Sequence, residues 1–200
     1  MMKNTVIFGG TFNPPHLGHC KMLESVLKLE TTEKVIVIPT SVPPHKVCKS
    51  LAGNTDRLNM CRLAFESRKN VTVSDAEMRR EGKSYTFDTL SLFKKQGTEN
   101  IAIVCGGDMI VTFKSWYRFE DILKMAQIIA FRRKGVDNGE FDAAVNELRD
   151  MGGNITVIEA DIMNISSSEI RENIKNREYL LEYLQPNVYD YIVENGLYGE

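Results

Sequence analysis

Two histidines that follow a pair of glycines form the stretch of this chain best suited to chemistry. The string GGTFNPPHLGH, residues 9–19, follows a short apolar run that predicts a buried strand and precedes apolar residues at helical spacing. Gly9 and Gly10 permit a tight turn and a close approach of the backbone to a ligand. The helix that begins next has unpaired N–H groups and the positive end of its dipole there. The stretch therefore predicts an anion site, with His16 and His19 donating to one group of phosphate oxygens.

A second helix start, rich in hydroxyl groups, lies near the C-terminal end. It is the string ISSSEIR, residues 165–171. Ser166 and Glu169 have the spacing of a capping box, which by itself predicts a well-capped helix. The three consecutive hydroxyls and Arg171, one turn later, add the donors and the forked cation that grip phosphate groups. The string therefore predicts a second phosphate-binding helix start.

Other polar residues follow the apolar runs that predict strands. The loop PPHK, residues 43–46, comes after the apolar run at 34–39. Because open α/β sheets bind ligands beyond the carboxyl ends of their strands, His45 and Lys46 are candidate phosphate ligands, with an exposed polar loop as the alternative. Asp108 follows a glycine pair, where its carboxylate can accept hydrogen bonds from a ribose, unless the segment is a plain turn.

The elements that must position these residues alternate along the chain. About six apolar runs that predict strands are interleaved with segments of helical spacing. This order predicts the α/β class, with a doubly wound, mostly parallel sheet and ligands at the carboxyl ends of its strands. We expect one domain over residues 1–200, in which residues from about 165 form a C-terminal helical part.

One of these helices is predicted to start at Asn54 and Thr55, whose side chains are typical helix caps. Its apolar side is predicted to consist of Leu58, Cys61, Leu63, Ala64 and Phe65.

Composition limits the classes of partner. Hydrophobic residues make up 42% and charged residues 26% of the 200 residues, as in an ordinary globular protein, and the net charge of −2 disfavours an extended nucleic-acid interface. Since no apolar run approaches ~20 residues, we expect no membrane partner. With no signal peptide before the first strand, a cytoplasmic location is expected. The four cysteines form no metal-binding pair, and a homo-oligomer is left open.

The two strings together resemble a known enzyme family. Residues 9–19 resemble the HxGH signature of nucleotidyltransferases, which the class I aminoacyl-tRNA synthetases share, and their fuller form GGTF[DN]PxHxGH is similar to bacterial nicotinate mononucleotide adenylyltransferases. Residues 165–171 resemble the second hallmark of that superfamily, ISS[ST]x[IL]R. The resemblance extends over almost the whole chain and implies a Rossmann-like nucleotidyltransferase fold. It also implies transfer of the AMP moiety of ATP to nicotinate mononucleotide, giving deamido-NAD and pyrophosphate in NAD biosynthesis.

The resemblance further implies roles for individual residues. It implies catalytic roles for His16, His19 and Arg171, which also contact ATP. Further contacts with ATP are implied for Gly9, Gly10, Thr11, Phe12, Asp108, Ile165, Ser167 and Ser168. Contacts with nicotinate mononucleotide are implied for His45, Lys46, Thr86, Trp116, Tyr117 and Arg133. In the family the backbone at Thr86 helps to hold the pyridine carboxyl group and the indole of Trp116 stacks on the ring.

One metal ion is expected, and two residues depart from the family pattern. Mg²⁺ is expected to arrive with ATP, without a metal site of the protein's own. Asn13 replaces the usual aspartate, and Lys134 departs from the family's RPG pattern after the strand that carries Arg133.

Rival functions remain open on the sequence. The same two signatures serve phosphopantetheine or nicotinamide mononucleotide adenylyltransferases and cytidylyltransferases, and a nucleotide sensor without turnover would share them as well. A fragment of a tRNA synthetase is disfavoured because the chain has no basic surface signal.

Overall fold

The computed structural model describes residues 3–43, 50–133, 139–160, 163 and 165–199, with the backbone alone at 133 and 160. A parallel sheet of six strands forms the centre of this part of the chain, in the order β3-β2-β1-β4-β5-β6. The strands are β1 Asn4–Gly10, β2 Thr32–Pro39, β3 Val71–Val73, β4 Ile101–Cys105, β5 Gln127–Arg133 and β6 Ile155–Ala160. This is the doubly wound order, so the α/β prediction is confirmed and the sheet is wholly parallel where it is described.

Helices connect the strands. They are α1 Leu17–Leu27, α2 Asn54–Phe65, α3 Thr86–Lys95, α4 Gly107–Val111, α5 Phe119–Met125 and α6 Gly139–Asp150, followed by α7 Ser167–Glu172, α8 Arg177–Tyr183 and α9 Pro186–Glu194. A 3₁₀ turn, Phe113–Ser115, separates α4 from α5. In this strand order the direction of winding reverses between β1 and β4, and ligands bind in the crevice at such a point.

The sheet is buried on both faces, which explains why its strands are continuous apolar runs. Val6 and Phe8 of β1 pack into the core on one face, and Ile7 between them packs into the core on the other. The same alternation holds in β4, where Ala102 and Ile103 lie in opposite cores. Because side chains point alternately to the two faces, a strand covered on both sides needs an apolar residue at every position.

The C-terminal helices belong to one of these two cores. Leu180, Leu184, Val188 and Ile192 are buried in the cluster that also contains Phe8. Residues beyond 165 therefore bury apolar surface against the sheet, and the single domain over residues 1–200 stays a prediction.

The predicted apolar side of α2 is confirmed at Cys61, Ala64 and Phe65 and wrong at Leu58 and Leu63, and the predicted cap is wrong. The buried face contains Arg57, Met60, Cys61, Ala64 and Phe65, whereas Leu58 and Leu63 are only half-buried.

The N-cap of α2 is Gly53, and Asn54 is the first helical residue. The side chain of Asn54 donates to Oγ of Ser41 at 3.0 Å and accepts a hydrogen bond from Arg57. It therefore serves the neighbouring loop instead of the helix end.

Among the described residues, no helix has both the length and the apolar character needed to cross a membrane.

Candidate active site

The two histidines lie at the start of α1 with their rings against each other. His16 is the N-cap, with extended backbone, and His19 lies in the first turn of the helix. Their ring centroids are 3.7 Å apart. The backbone N–H of His16 donates to Nδ1 of His19 at 3.2 Å. Because Nδ1 is an acceptor in this bond, the proton of the neutral His19 ring is on Nε2, which can donate to a ligand.

His16 is buried and uncharged at neutral pH. Its side chain is 7% exposed, and burial lowers its pKa to about 4, although the carboxylate of Glu169 acts in the opposite direction. A buried imidazolium would pay a large desolvation cost. The neutral ring leaves His16 with one N–H to donate.

Two glycines of the first signature lie so close to aromatic rings that a side chain would not fit there. A Cβ on Gly18 would lie 3.0 Å from both Cε1 and Nδ1 of His16. A Cβ on Gly10 would lie 2.9 Å from Cζ of Phe12. Any side chain at these positions would displace an aromatic ring of the signature, which explains their place in it.

Phe12 anchors the loop from the inside. Its φ is +46°, a left-handed conformation that a bulky residue adopts when the surroundings hold it there. The ring is 2% exposed and packs at centroid distances of 5.5, 5.6 and 5.0 Å on Phe8, Phe65 and His19. The implied contact of Phe12 with ATP is therefore available to its backbone and not to its side chain.

The second signature is docked onto the first. Oγ of Ser167 donates to the carbonyl of Pro14 at 2.9 Å, and Nη1 of Arg171 donates to the carbonyls of Asn13 and Ser167 at 2.8 and 3.0 Å. Nη2 of Arg171 lies 3.2 Å from Oγ of Ser168. The start of α7 and the loop before His16 thus form one surface.

Ile165 completes this contact, because its side chain is 8% exposed and reaches within 3.4 Å of the position that a Cβ on Gly18 would occupy. The predicted capping box is confirmed. Ser166 N–H donates to Oε2 of Glu169 at 2.8 Å, and Glu169 N–H donates back to Oγ of Ser166 at 3.2 Å.

A fully buried arginine holds the same loop from the interior of the protein. Arg57 of α2 is 0% exposed, and its guanidinium donates to backbone carbonyls of two loops and of the segment before α2. The acceptors are the carbonyls of Thr11, Thr40, Ser41 and Ala52.

The interpretation of the sequence missed Arg57, since an arginine on an amphipathic helix is ordinarily exposed. The available signal was its helical spacing from Cys61 and Ala64, which lie four and seven residues further on along the buried face.

Asn13 joins three segments of the chain. Its Nδ2 donates to the carbonyl of Ser50 at 2.8 Å, and its Oδ1 accepts from the N–H of Ala52 and the hydroxyl of Tyr198 at 3.0 and 2.8 Å. Burial raises the pKa of Tyr198, so its hydroxyl stays a donor. An aspartate would accept the last two bonds but has no hydrogen to give to Ser50.

Of the residues implied for the pyridine mononucleotide, Thr86, Trp116 and Tyr117 lie near the starts of α3 and α5. Thr86 is the first residue of α3, where a backbone N–H has no partner within the helix. Tyr117 is 50% exposed, and its ring lies 4.7 Å from the ring of Tyr85, which precedes Thr86. Trp116 is half-buried and stacks on Phe113 at 4.8 Å. The structure thus brings Thr86 and Tyr117 into one neighbourhood through Tyr85.

Asp108 is exposed in the first turn of α4, directly after β4 and therefore beside the end of β1. His45 and Lys46 lie outside the described residues, as does the side chain of Arg133. Within the part of the chain that the structure describes, no three His, Cys, Asp or Glu side chains group as metal ligands.

Comparison with known proteins agrees with this geometry. The sequence model of the cytidylyltransferase-like family matches residues 7–173. The nicotinate-nucleotide adenylyltransferase of Bacillus subtilis is 34% identical over 201 residues, covering 98% of this chain and 99% of that protein. A Fusobacterium nucleatum protein named as a probable nicotinate-nucleotide adenylyltransferase is 40% identical over 174 residues, covering 86% of this chain and 88% of that protein.

The chain belongs to the cytidylyltransferase-like family and, within it, to the nicotinate-nucleotide adenylyltransferases. Its fold is that of a Plasmodium falciparum nicotinic acid mononucleotide adenylyltransferase solved with NaAD. The TM-score is 0.80 at 22% identity, over 98% of this chain and 97% of that one.

Replacement of the buried arginine tests its role in this adenylyltransferase site. We expect Arg57→Met to lower the free energy of unfolding by at least about 2 kcal/mol, because four buried carbonyls lose their donor. Urea unfolding measures the change. Arg62→Met, on the exposed side of the same helix, is the control and should stay within about 0.5 kcal/mol of wild type. Equal stabilities of the two variants would contradict the role.

The buried His16 should make stability depend on pH. Its pKa is lowered in the folded state, so between about pH 4 and 6.5 the unfolded chain binds more protons, and stability rises with pH across this window. We expect a loss on the order of 2 to 3 kcal/mol as pH falls from 7 to 4, compared with a His16→Gln variant. Urea unfolding at several pH values measures this difference. Parallel pH curves for the two proteins would show that His16 titrates normally.

Proposed function

We propose that this chain, a nicotinate-nucleotide adenylyltransferase by family, transfers the AMP moiety of ATP to the phosphate of nicotinate mononucleotide. The products are nicotinate adenine dinucleotide and pyrophosphate. The observation that carries the proposal is the docking of Ser167 and Arg171 onto the loop before His16, which joins the two phosphate-binding helix starts. Full-length relatives with this enzyme's name support it.

The reaction needs positioning and charge neutralisation more than acid–base chemistry. An oxygen of the acceptor phosphate, already ionised at neutral pH, attacks the α-phosphorus of ATP, and the bond from that phosphorus to the bridging oxygen breaks. The bond electrons leave with pyrophosphate. Since the nucleophile carries its own charge, no general base is required.

His19 is the residue proposed to act at the reacting phosphorus. The hydrogen bond at its Nδ1 places the proton of the neutral ring on Nε2, and the donor of that bond is a backbone N–H at the start of α1. A donor fixed in advance stabilises the charge that develops on the α-phosphate oxygens without reorganisation.

The leaving pyrophosphate is proposed to meet His16, Ser168 and Arg171. The bonds that dock Arg171 use both hydrogens of Nη1 and one of Nη2, so Nε–H and one Nη2–H remain for the phosphates among the described contacts. Gly9, Gly10 and Thr11 would line the same loop.

The acceptor is proposed to bind beside α3 and α5. Thr86 N–H would hold the pyridine carboxyl group, and Trp116 and Tyr117 would contact the ring. Asp108 would accept from the ribose of ATP. His45, Lys46 and Arg133 are proposed for the acceptor phosphate on the strength of the family pattern.

Mg²⁺ stays a prediction. The described side chains offer no group of three metal ligands, so the ion would be bound by phosphate oxygens and water and would come with ATP. No residue is assigned to it.

Pyrophosphate release tests the proposed function. The protein is incubated with ATP and Mg²⁺ and with nicotinate mononucleotide, nicotinamide mononucleotide or phosphopantetheine in parallel. We expect release with nicotinate mononucleotide to exceed that with the other two. Preference for another acceptor would overturn the substrate while leaving nucleotidyl transfer in place, and no release with any of them would favour a nucleotide sensor.

Removal of the proposed donor should abolish most of the activity. We expect His19→Ala to lower kcat by about 10²- to 10³-fold, the loss typical of a missing donor to a charged transition state. Thermal unfolding of the same variant should show a folded protein. Near-normal kcat in the folded variant would eliminate the assigned role.

A further inference from the structure

The turn after β3 contains a buried carboxyl group that the reaction does not use. Glu77 is 7% exposed, and its Oε1 accepts a hydrogen bond of 2.7 Å from the hydroxyl of Thr89. Thr89 lies one turn into α3, so the carboxyl contacts the helix that begins at Thr86. A carboxyl group out of water is costly, and here its bonds go to the element proposed to recognise the acceptor.

Ser84 lies just before α3 and ties the start of that helix to the segment after β2. Its Oγ accepts from the N–H groups of Ser41 and Val42 at 3.1 and 3.3 Å, and its own N–H donates to the carbonyl of Val42 at 3.0 Å. Both lone pairs of this hydroxyl are therefore used, and its hydrogen is left to be donated. The Ser84 hydroxyl, like that of Thr89, favours the charged form of Glu77.

Glu77 interacts with its surroundings more through hydrogen bonds than through an ion pair. Burial raises its pKa, against the hydroxyls of Thr89 and Ser84 and the guanidinium groups of Arg80 and Arg57. Its Oε2 and Nη2 of Arg80 are both buried and make no hydrogen bond with the described residues. What Glu77 contributes to the structure is therefore its hydrogen bond with Thr89 of α3.

We propose that Glu77 is a positioning residue for the acceptor side of the site. Through Thr89 it holds the start of α3, which Ser84, just before that helix, also ties to Ser41 and Val42. The N–H of Thr86 then meets the pyridine carboxyl group at a fixed place. This inference rests on the proposed function, because it assigns the acceptor to the start of α3.

The test separates binding of the acceptor from binding of ATP. Glu77→Leu removes the acceptor of the Thr89 hydrogen bond, whereas Glu77→Gln keeps an oxygen for it. We expect Glu77→Leu to raise KM for nicotinate mononucleotide about tenfold, the worth of one buried hydrogen bond, with KM for ATP changed less than about twofold. In Glu77→Gln, KM for nicotinate mononucleotide should be much closer to the wild-type value than in Glu77→Leu.

Thr89→Val removes the same bond from the other side and serves if Glu77→Leu does not fold. We expect it to raise KM for the acceptor about threefold or more, with ATP unaffected. Gln127→Leu is the matched control. It removes bonds of 2.8 Å to Asn4 and Thr156 at the amino ends of the strands. Both KM values should stay at the wild-type level.

Equal rises of both KM values in folded Glu77→Leu and Thr89→Val, or no rise in either, would overturn the inference. The chain has one tryptophan, Trp116, so its fluorescence measures acceptor binding without turnover. If wild type binds nicotinate mononucleotide but releases no pyrophosphate, the proposed reaction fails, and the binding constants of the variants still decide the role of Glu77. Absence of binding by wild type would contradict both.

Discussion

The site depends on one buried cation. Arg57 lies in the interior of the protein, and its guanidinium donates to carbonyls of Thr11, Thr40, Ser41 and Ala52. Buried backbone carbonyls need donors, and these stand in loops where neither helix nor sheet supplies them. A guanidinium offers five N–H groups in a rigid plane, which a lysine with three donors on a flexible stem does not match. The backbone just after β1, just after β2 and just before α2 is thereby tied to one side chain.

The loop after β1 is also held from above. The carbonyls of Asn13 and Pro14 are bound by Arg171 and Ser167 of α7, and the Asn13 side chain is bound by Tyr198 near the end of the described chain. The residues before His16 therefore have few conformations left. Such preorganisation matters for a reaction in which the protein contributes position and charge complementarity but no covalent chemistry.

The histidine pair shows how burial and hydrogen bonding divide the roles of two similar residues. His16, buried and with a pKa lowered to about 4, stays neutral, so two imidazolium rings do not face each other at 3.7 Å. His19, in edge contact with Phe12, accepts the backbone N–H of His16 at Nδ1, so the proton of its neutral ring is on Nε2. Gly18 makes this stacking sterically feasible, which is a physical reason for the glycine between the two histidines.

The sequence by itself determined the α/β order of the elements and the two helix starts that it predicts to bind phosphate. Six strands are present in the described part of the chain where about six apolar runs predicted them, and the capping box of Ser166 and Glu169 is present, because such features depend on neighbours within a few residues. Periodicity and local capping are readable without the fold.

Only the tertiary structure decided which polar residues are internal supports. Arg57, Glu77 and Asn13 have the residue types of a surface, and their partners lie up to 185 residues away in the sequence, as for Asn13 and Tyr198. Phe12 shows the converse, since a residue of the signature proves to be core. Hydrogen bonds between distant segments arise when the chain closes on itself; a local pattern can place Arg57 on a buried helix face, but it does not give the partners.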